Sequence, residues 1–372
     1  MNQHNREHGC VLTPSGWVRG AINFDDRVSE VVGDAVIRPA KDDVVVLPGF
    51  VDLHVHGGAG ADVMDGPGAI ERICKLHARH GTTSLLATTV AASPELLLQT
   101  FEALRGALDR RPIAAARLLG VHLEGPYLNP KRLGAQPDCV RVGNIDEVRD
   151  LHARAPIRVL TLAPEVAGNI AFVRQLKAMG IVVQCGHTEG TYEEGVAAMM
   201  AGAGGFTHLF NAMSPLHHRA PGMVGAALAH AEYAELIPDL LHVHPGAMRV
   251  ALRAIPHLYC VTDATAAAGM PDGDYQLGGQ PVTKCMGGVR LADGTLAGSS
   301  LTMDQALRNL VEIGLDLDAA ARCLSTHPAD YIGERERGRL CAGVWADMVV
   351  LTPGLQVNKV YIEGECIELT DA

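Results

Sequence analysis

A chain of 372 residues, 48% hydrophobic and 20% charged, has the balance of an ordinary globular protein and is long enough for one large domain and a small second one. Its formal net charge of -11, with no Lys/Arg-rich block, argues against nucleic acid as a partner, and aromatics at 4% are too few for a base-stacking platform. The start MNQHNREHGC lacks the apolar core of a secretory leader, and no later run reaches the roughly 18 apolar residues of a membrane helix. Nine scattered cysteines without a CxxC pair fit reduced thiols, so the sequence reads as a soluble cytoplasmic protein with no membrane partner.

From Arg19 to about Leu47, short apolar pieces alternate with polar ones (VSEVVGDAVIRP, DDVVVLPGF), which predicts a few β-strands. The C-terminal stretch WADMVVLTPGLQVNKVYIEGECIEL repeats that style. Residues 1–49 and 334–372 are therefore expected to pair as a small β-sandwich domain formed by both chain ends. Between them, residues 50–333 alternate β-type and helical runs, the rhythm of a parallel sheet. Eight strand candidates follow in order: GFVDLHVHG, TSLLATT, RLLGVHLEG, RVLTLAPE, IVVQCGHT, GGFTHLF, LLHVH and LYCVTDA. Eight is the number that closes a barrel, so the expected class is α/β with a (β/α)8 TIM-type barrel. Helix starts are expected at Ser93-Pro94-Glu95, at Thr191/Glu194 and at Thr302/Gln305, the last two with capping-box spacing. An open doubly wound sheet competes, but no GxGxxG turn follows the first strand.

Glu124, His187, His208 and Asp263 each end an apolar run, and a fifth run carries His54 and His56. Parallel strands around a closed barrel would aim such strand-end side chains at one point. A His-x-His on a strand puts both imidazoles on one face, so His54 and His56 can share a metal. Gly57, Gly58 and Gly60 clear space at that strand mouth, and Asp52 is expected to orient an imidazole from behind. Glu124 precedes Gly125-Pro126, which end its strand and leave the carboxylate at the rim. Taken singly, His187 and His208 read as hydrogen-bonded core histidines; their shared strand-end placement with Glu124 points instead to a Glu-His-His set suited to zinc or iron(II). Asp263 reads either as a ligand or as a base beside a metal-activated water. His77 and His80 are expected on a wet helix face and His217 and His218 in a solvated loop, where Arg219 could grip a phosphate or carboxylate or simply form a surface ion pair.

Taken together, the strings LPGFVDLHVHGGAGADVMDG, GVHLEGPYLNPKRLGAQ, CGHTEGTYEEG, THLFNAMSPLHHRAPGMVGAAL, VTDATAAAGMPDG and LAGSSLTMDQALRNLV resemble the amidohydrolase superfamily, and within it the N-acetylglucosamine-6-phosphate deacetylases. The resemblance spans nearly the whole chain, and HLEGP, HLFNAM and LAGSSLTM are its narrowest strings. It implies a metal-dependent deacetylase of a phosphorylated amino sugar, with Glu124, His187 and His208 as metal ligands and Asp263 as acid/base. It further implies sugar contacts from Ala135, Asn211, Ala212 and His242 and a substrate-lining loop at Leu296, Ala297 and Gly298. Arg219 matches an arginine that reaches the phosphate in a neighbouring subunit's site, which implies a homodimer.

Two departures bear on chemistry. Where the family often has a histidine that helps polarise the acetyl carbonyl, this chain has Gln136, which can donate a hydrogen bond but brings no charge. Some family members lack the first-strand His-x-His and use one metal, whereas this chain keeps His54 and His56. The expectation is therefore one or two divalent cations per subunit, zinc or iron(II), the second held by His54, His56 and a bridging Glu124. Deacetylation of N-acetylgalactosamine 6-phosphate, or another amidohydrolase reaction such as cyclic-amide hydrolysis, stands as the alternative substrate reading, and a non-catalytic scaffold as a further one.

Overall fold

A computed structural model describes residues 5–369. The amino end supplies β1 (Asn5–Thr13), β2 (Gly16–Phe24), β3 (Val28–Val36) and β4 (Val45–Pro48). The chain turns at Gly49 straight into β5 (Phe50–Val55), and a side chain at Gly49 would lie 2.2 Å from Thr83 Cγ2. After a small hairpin, β6 (Gly57–Gly58) and β7 (Ala61–Asp62), come β8 (Thr82–Thr89), β9 (Arg117–Glu124), β10 (Ile157–Leu162), β11 (Val182–Cys185) and β12 (Gly205–Phe206).

Strands β5, β8, β9, β10, β11 and β12 form one parallel sheet in that order. Helices cover it, among them Ala69–Arg79, Pro94–Asp109, Ile145–Arg154, Asn169–Ala178 and Tyr192–Ala201. Every residue of β5 and β8 is buried, as expected of strands covered on both faces. The short parallel pair β13 (Glu235–Leu236) and β14 (Tyr259–Cys260) continues the wall. Leu209 N donates to Glu235 O at 2.8 Å on one side, and Asp263 N donates to His54 O at 2.9 Å on the other.

Several expectations need correction. The seventh strand is Glu235–Leu236 rather than LLHVH, whose residues form bends before helix Pro245–Ala254. His77 is fully buried and hydrogen-bonded to Gly57 O at 3.0 Å; its helix turns that face inward. Ser93 caps its helix through Leu96 N, and Thr191/Glu194 form a capping box. Thr302 makes no such cap because its hydroxyl donates to Asp304 Oδ1 at 2.6 Å. Beyond β14 an unforeseen antiparallel sheet appears, β15 (Gly273–Leu277), β16 (Gln280–Cys285), β17 (Gly288–Arg290) and β18 (Leu296–Ser299). The carboxyl end adds β19 (Met348–Leu351), β20 (Val357–Ile362) and β21 (Glu365–Ile367).

The two chain ends meet where β4 pairs antiparallel with β19, giving one sheet in the order β21-β20-β19-β4-β1-β2-β3. In place of two separate facing sheets, this single sheet rolls. Phe24 on β2 and Tyr361 on β20 have three strands between them, yet their rings meet edge-on at 5.0 Å between centroids. Strand alternation sends Val11, Val46, Met348 and Val350 into the core enclosed by that roll. Val45, Leu47, Val349 and Leu351 point the other way and join the main core.

Glu363 clamps this sheet to β9. Its carboxylate accepts from Arg117 Nε and Nη2 at 2.8 and 2.7 Å, from Arg111 Nε at 3.2 Å and from Arg337 Nη2 at 2.6 Å. Although partial burial pushes its pKa up, those guanidiniums win and hold Glu363 at about 2, below its ordinary 4.5. A carboxyl depressed in the folded state contributes stability that is fully present above about pH 4.5 and lost as pH falls through about 2. Glu363→Gln is therefore expected to cost about 2 kcal/mol at neutral pH, after allowance for solvent screening. Denaturant unfolding should show the gap from the native chain closing between pH 4.5 and 2; a pH-independent difference would assign the clamp no electrostatic role.

Candidate metal centre and active site

The strand-end residues converge. On one side, His54 Nε2 and His56 Nε2 lie 3.1 Å apart, and each faces Glu124 Oε2 (3.5 and 3.2 Å) and Asp263 Oδ1 (3.5 and 3.3 Å). On the other, Glu124 Oε1 lies 3.1 Å from both His187 Nε2 and His208 Nε2, which are themselves 3.1 Å apart. The two oxygens of one buried carboxylate thus serve two neighbouring groups, His54/His56/Asp263 and Glu124/His187/His208, each compact enough to hold one ion. His54 and His56 alternate onto one face at the end of β5, Glu124 is the last residue of β9, and the others follow β11, β12 and β14 within two or three residues.

What stands behind the histidines tests whether a cation fits. His54 Nδ1 meets Glu235 Oε2 at 3.0 Å, His56 Nδ1 meets Thr88 O at 3.2 Å and His187 Nδ1 meets Arg132 O at 2.8 Å. Carboxylates and carbonyls only accept, so these Nδ1 atoms carry the hydrogens and the Nε2 lone pairs face one another and the carboxylates. With a cation in place of protons, those converging Nε2 lone pairs match the N/O donor set of zinc or iron(II). Charge agrees. Burial alone would neutralise His54 and His56, but Glu124, Asp263 and Glu235 raise His54 well above its ordinary pKa, and Asp263 and Glu124 raise His56 to about 9. Glu124 stays well below its usual range against burial because of His54 and His187, and Asp263 is held at about 2, again against burial, by His54 and His56. The centre draws positive charge to itself.

His187, His208 and Asp263 have φ of 49°, 27° and 50°, left-handed conformations that cost these residue types energy and often mark functional sites. Asp52 does not orient an imidazole: it accepts from His54 N, Thr262 N and Thr262 Oγ1, and burial pushes it up to about 7. Glu235 fills that role; it escaped the sequence reading because its strand was placed too late in the chain.

The centre floors a cavity of about 340 Å³ lined by Ala135, Gln136, Asn211, Ala212, His242, Leu296 and Gly298 among others. Gln136 accepts from Ala91 N at 2.7 Å and donates to Glu124 Oε2, and Asn211 Nδ2 donates to His208 O at 3.1 Å. His242 Nδ1 lies 2.6 Å from Asp239 Oδ2. Leu296 and Gly298 line the cavity from β18, a strand and not a loop, and Ala297 therefore points away into an apolar cluster with Val90, Leu277 and Val289. Arg219 is exposed in its loop beside His218 and does not line this cavity. Lys131, Arg132 and Thr295 do, and no local pattern singles them out. Arg132 is tied to Glu189.

Parallel strands that deliver histidines and carboxylates to one end, beneath a polar cavity, define a metal-dependent hydrolase built on a TIM-like wall. Residues 45–367 match the model of the amidohydrolase family. The chain is 40% identical over 367 residues to N-acetylgalactosamine-6-phosphate deacetylase of Escherichia coli O157:H7, covering 95% of this chain and 97% of that one. It is 38% identical over 350 residues to N-acetylglucosamine-6-phosphate deacetylase of Bacillus subtilis (strain 168), covering 91% of this chain and 88% of that one. In structure it resembles an N-acetyl-D-glucosamine-6-phosphate deacetylase from Mycobacterium smegmatis, solved as an aspartate mutant with N-acetyl-D-glucosamine-6-phosphate, with TM-score 0.90, 36% identity and coverage of 98% and 99%. The chain belongs to the amidohydrolase family and, within it, to the family of these deacetylases.

Gly298 carries one geometric consequence. Its φ is 58°, and a Cβ there would lie 2.6 Å from Thr265 Cγ2 and 2.8 Å from Asp263 O. Gly298→Ala is expected to destabilise the fold by about 1–3 kcal/mol and to displace the Asp263 backbone. A thermal midpoint equal to that of the native chain would show that β18 yields without cost.

Proposed function

We propose that this chain hydrolyses the acetamide of N-acetylglucosamine 6-phosphate, yielding acetate and glucosamine 6-phosphate, in a cytoplasmic homodimer. The observation that carries the reading is Glu124, whose two oxygens each face a separate histidine pair on the floor of a polar cavity. On this reading Glu124, His187 and His208 would hold one divalent cation, and His54, His56 and Glu124 would hold a second beside Asp263. Zinc and iron(II) both suit the donors. A cation bound there supplies Lewis acidity that brings water toward ionisation near neutral pH.

The remaining work falls to the chain's own groups. Asp263, ionised and opening on the cavity, takes the proton of the attacking water and returns it to the departing amine. Gln136, oriented by Ala91 N–H, points its amide hydrogens at Glu124 and holds that carboxylate, a neutral donor where the family often has a histidine. Ala135, Asn211, Ala212, His242, Leu296 and Gly298 are assigned to the sugar, while Ala297 supports them from behind. Arg219 is assigned to the phosphate of the neighbouring subunit, a role compatible with its exposure and its distance from its own cavity. The parallel wall is taken as a closed eight-stranded barrel over 50–333, supported by the hydrogen bonds at either edge of β13 and β14, with 1–49 and 334–372 as a sandwich-like end domain supported by its rolled sheet. The galactosamine epimer is the second reading, favoured by the 40% identical relative.

Acetate release from the two epimeric sugar phosphates, with elemental analysis of the same preparation, decides the substrate and the metal count together. Preference for the galactosamine epimer, or metal near one atom per chain in active protein, would overturn the corresponding part. Asp263→Asn should retain metal and lose about 10²- to 10⁴-fold in turnover; unchanged turnover removes Asp263 from proton transfer. Arg219→Ala should raise KM for the phosphorylated sugar far more than for its unphosphorylated counterpart, and equal effects on both would place the phosphate elsewhere.

A further inference from the structure

Behind the metal centre lies a carboxylate whose every contact is with a donor. Glu235 is fully buried. Its Oε2 faces His54 Nδ1 at 3.0 Å and accepts from His208 N at 3.2 Å; its Oε1 accepts from Gln184 Nε2 at 3.0 Å and Tyr259 OH at 3.2 Å. Gln184 is fixed in turn, since its Oε1 accepts from Thr207 Oγ1 at 2.8 Å. His54, His122 and Glu235 also sit close enough to suggest an ion of their own. That use is precluded, because His122 meets Leu53 O through Nδ1 at 3.1 Å and Thr161 Oγ1 through Nε2 at 2.7 Å, leaving no free lone pair. The cluster is a support, not a third site.

We infer that Glu235 is the positioning residue that makes the His54/His56 side of the centre a cation site and couples it to the His208 side. The inference rests on the two-cation reading above. Glu235 performs two tasks at once. It forces the hydrogen of His54 onto Nδ1 and presents its negative charge to that ring, which strengthens the Nε2 lone pair aimed at Glu124 and Asp263. Through the same oxygen it grips the backbone N–H of His208, whose ring Nδ1 is buried with no hydrogen-bond partner among the described residues and whose φ is 27°. His208 is thus held by its main chain where His54 is held by its ring. One carboxylate sets the geometry on both sides of the Glu124 bridge.

The test titrates zinc into chelator-stripped protein by calorimetry, with elemental analysis of the product, for the native chain and Glu235→Gln. The native chain should take up two zinc ions. The variant should lose about 10- to 100-fold in affinity for the ion on the His54/His56 side and keep the other near native affinity, since a glutamine oxygen still accepts from His208 N but brings no charge to His54. Two ions bound by Glu235→Gln with native affinities would overturn this inference while leaving the two-cation reading intact. A single ion in the native chain would overturn that reading, and the inference with it. Should the glutamine variant not fold, Glu235→Asp, whose shortened side chain withdraws from His54, is read by the same outcomes. Tyr259→Phe removes one donor from the far oxygen and leaves the charge in place, so it should bind both ions with less than a tenfold loss; selective loss of one ion there would assign the effect to packing and overturn the role given to the carboxylate.

Discussion

A carboxylate buried among imidazoles is the constraint on which the rest of this structure depends. Glu124 is 1% exposed, and an ionised carboxyl in so dry a place costs several kcal/mol unless positive charge meets it. Four inward-facing histidine nitrogens and the Asp263 carboxylate surround it, so cation and proton compete for the same lone pairs. The arrangement is stable only when something positive occupies it, which is why metal affinity and fold stability are linked in such a centre. Placing those groups needs five separate strand ends at one mouth, and a parallel wall with all carboxyl ends pointing one way provides them.

The strained backbone follows from that placement. His187, His208 and Asp263 come just after short strands, where the chain must turn away while the side chain stays aimed inward. Left-handed φ achieves this turn at a cost of the order of 1–3 kcal/mol for each non-glycine residue. The surrounding hydrogen bonds hold each one: Asp263 N to His54 O, His208 N to Glu235, and His187 Nδ1 to Arg132 O. Rigidity and chemistry are thus served by the same contacts. The terminal sheet shares the task from outside, since Glu363 fastens it to Arg117 on β9, the strand that ends in Glu124.

Much of this was readable in the letters. Long buried strands such as β5, β8 and β9 announce themselves as apolar runs, and ligands at their ends are visible because the run stops there. Two-residue strands leave no such run. Glu235–Leu236 is invisible beside LLHVH, and with it went the supporting carboxylate, whose value depends on what it touches across the barrel. β1 leaves little pattern because its first half is polar and exposed, and only its pairing with β2 and β4 makes it a strand. His77 was misjudged for a related reason: its inward face is set by Gly57 O, a partner twenty residues earlier that no local pattern records. Ala297 shows the limit of carrying a family's string residue by residue, since strand alternation turns it from the cavity that its neighbours line.

The two ends of the cavity are built differently, and the difference argues for where each part of a substrate belongs. At the floor, every ligand is buried and backed by a fixed acceptor or main-chain contact, so bond-making groups meet a preorganised surface with little water. Toward solvent the lining changes to Lys131, Arg132 and Thr295, with Arg132 already balanced by Glu189, while the buried side chain of His242 faces Asp239. A dianionic phosphate left with Lys131 as the one unbalanced cation among the described lining residues would be weakly held at that open end. An exposed guanidinium brought from a second copy, as proposed for Arg219, would supply the bidentate, permanently charged partner that this rim lacks. On that proposal, discrimination by phosphate would be a property of the assembled protein, while amide cleavage would need only the groups of one chain.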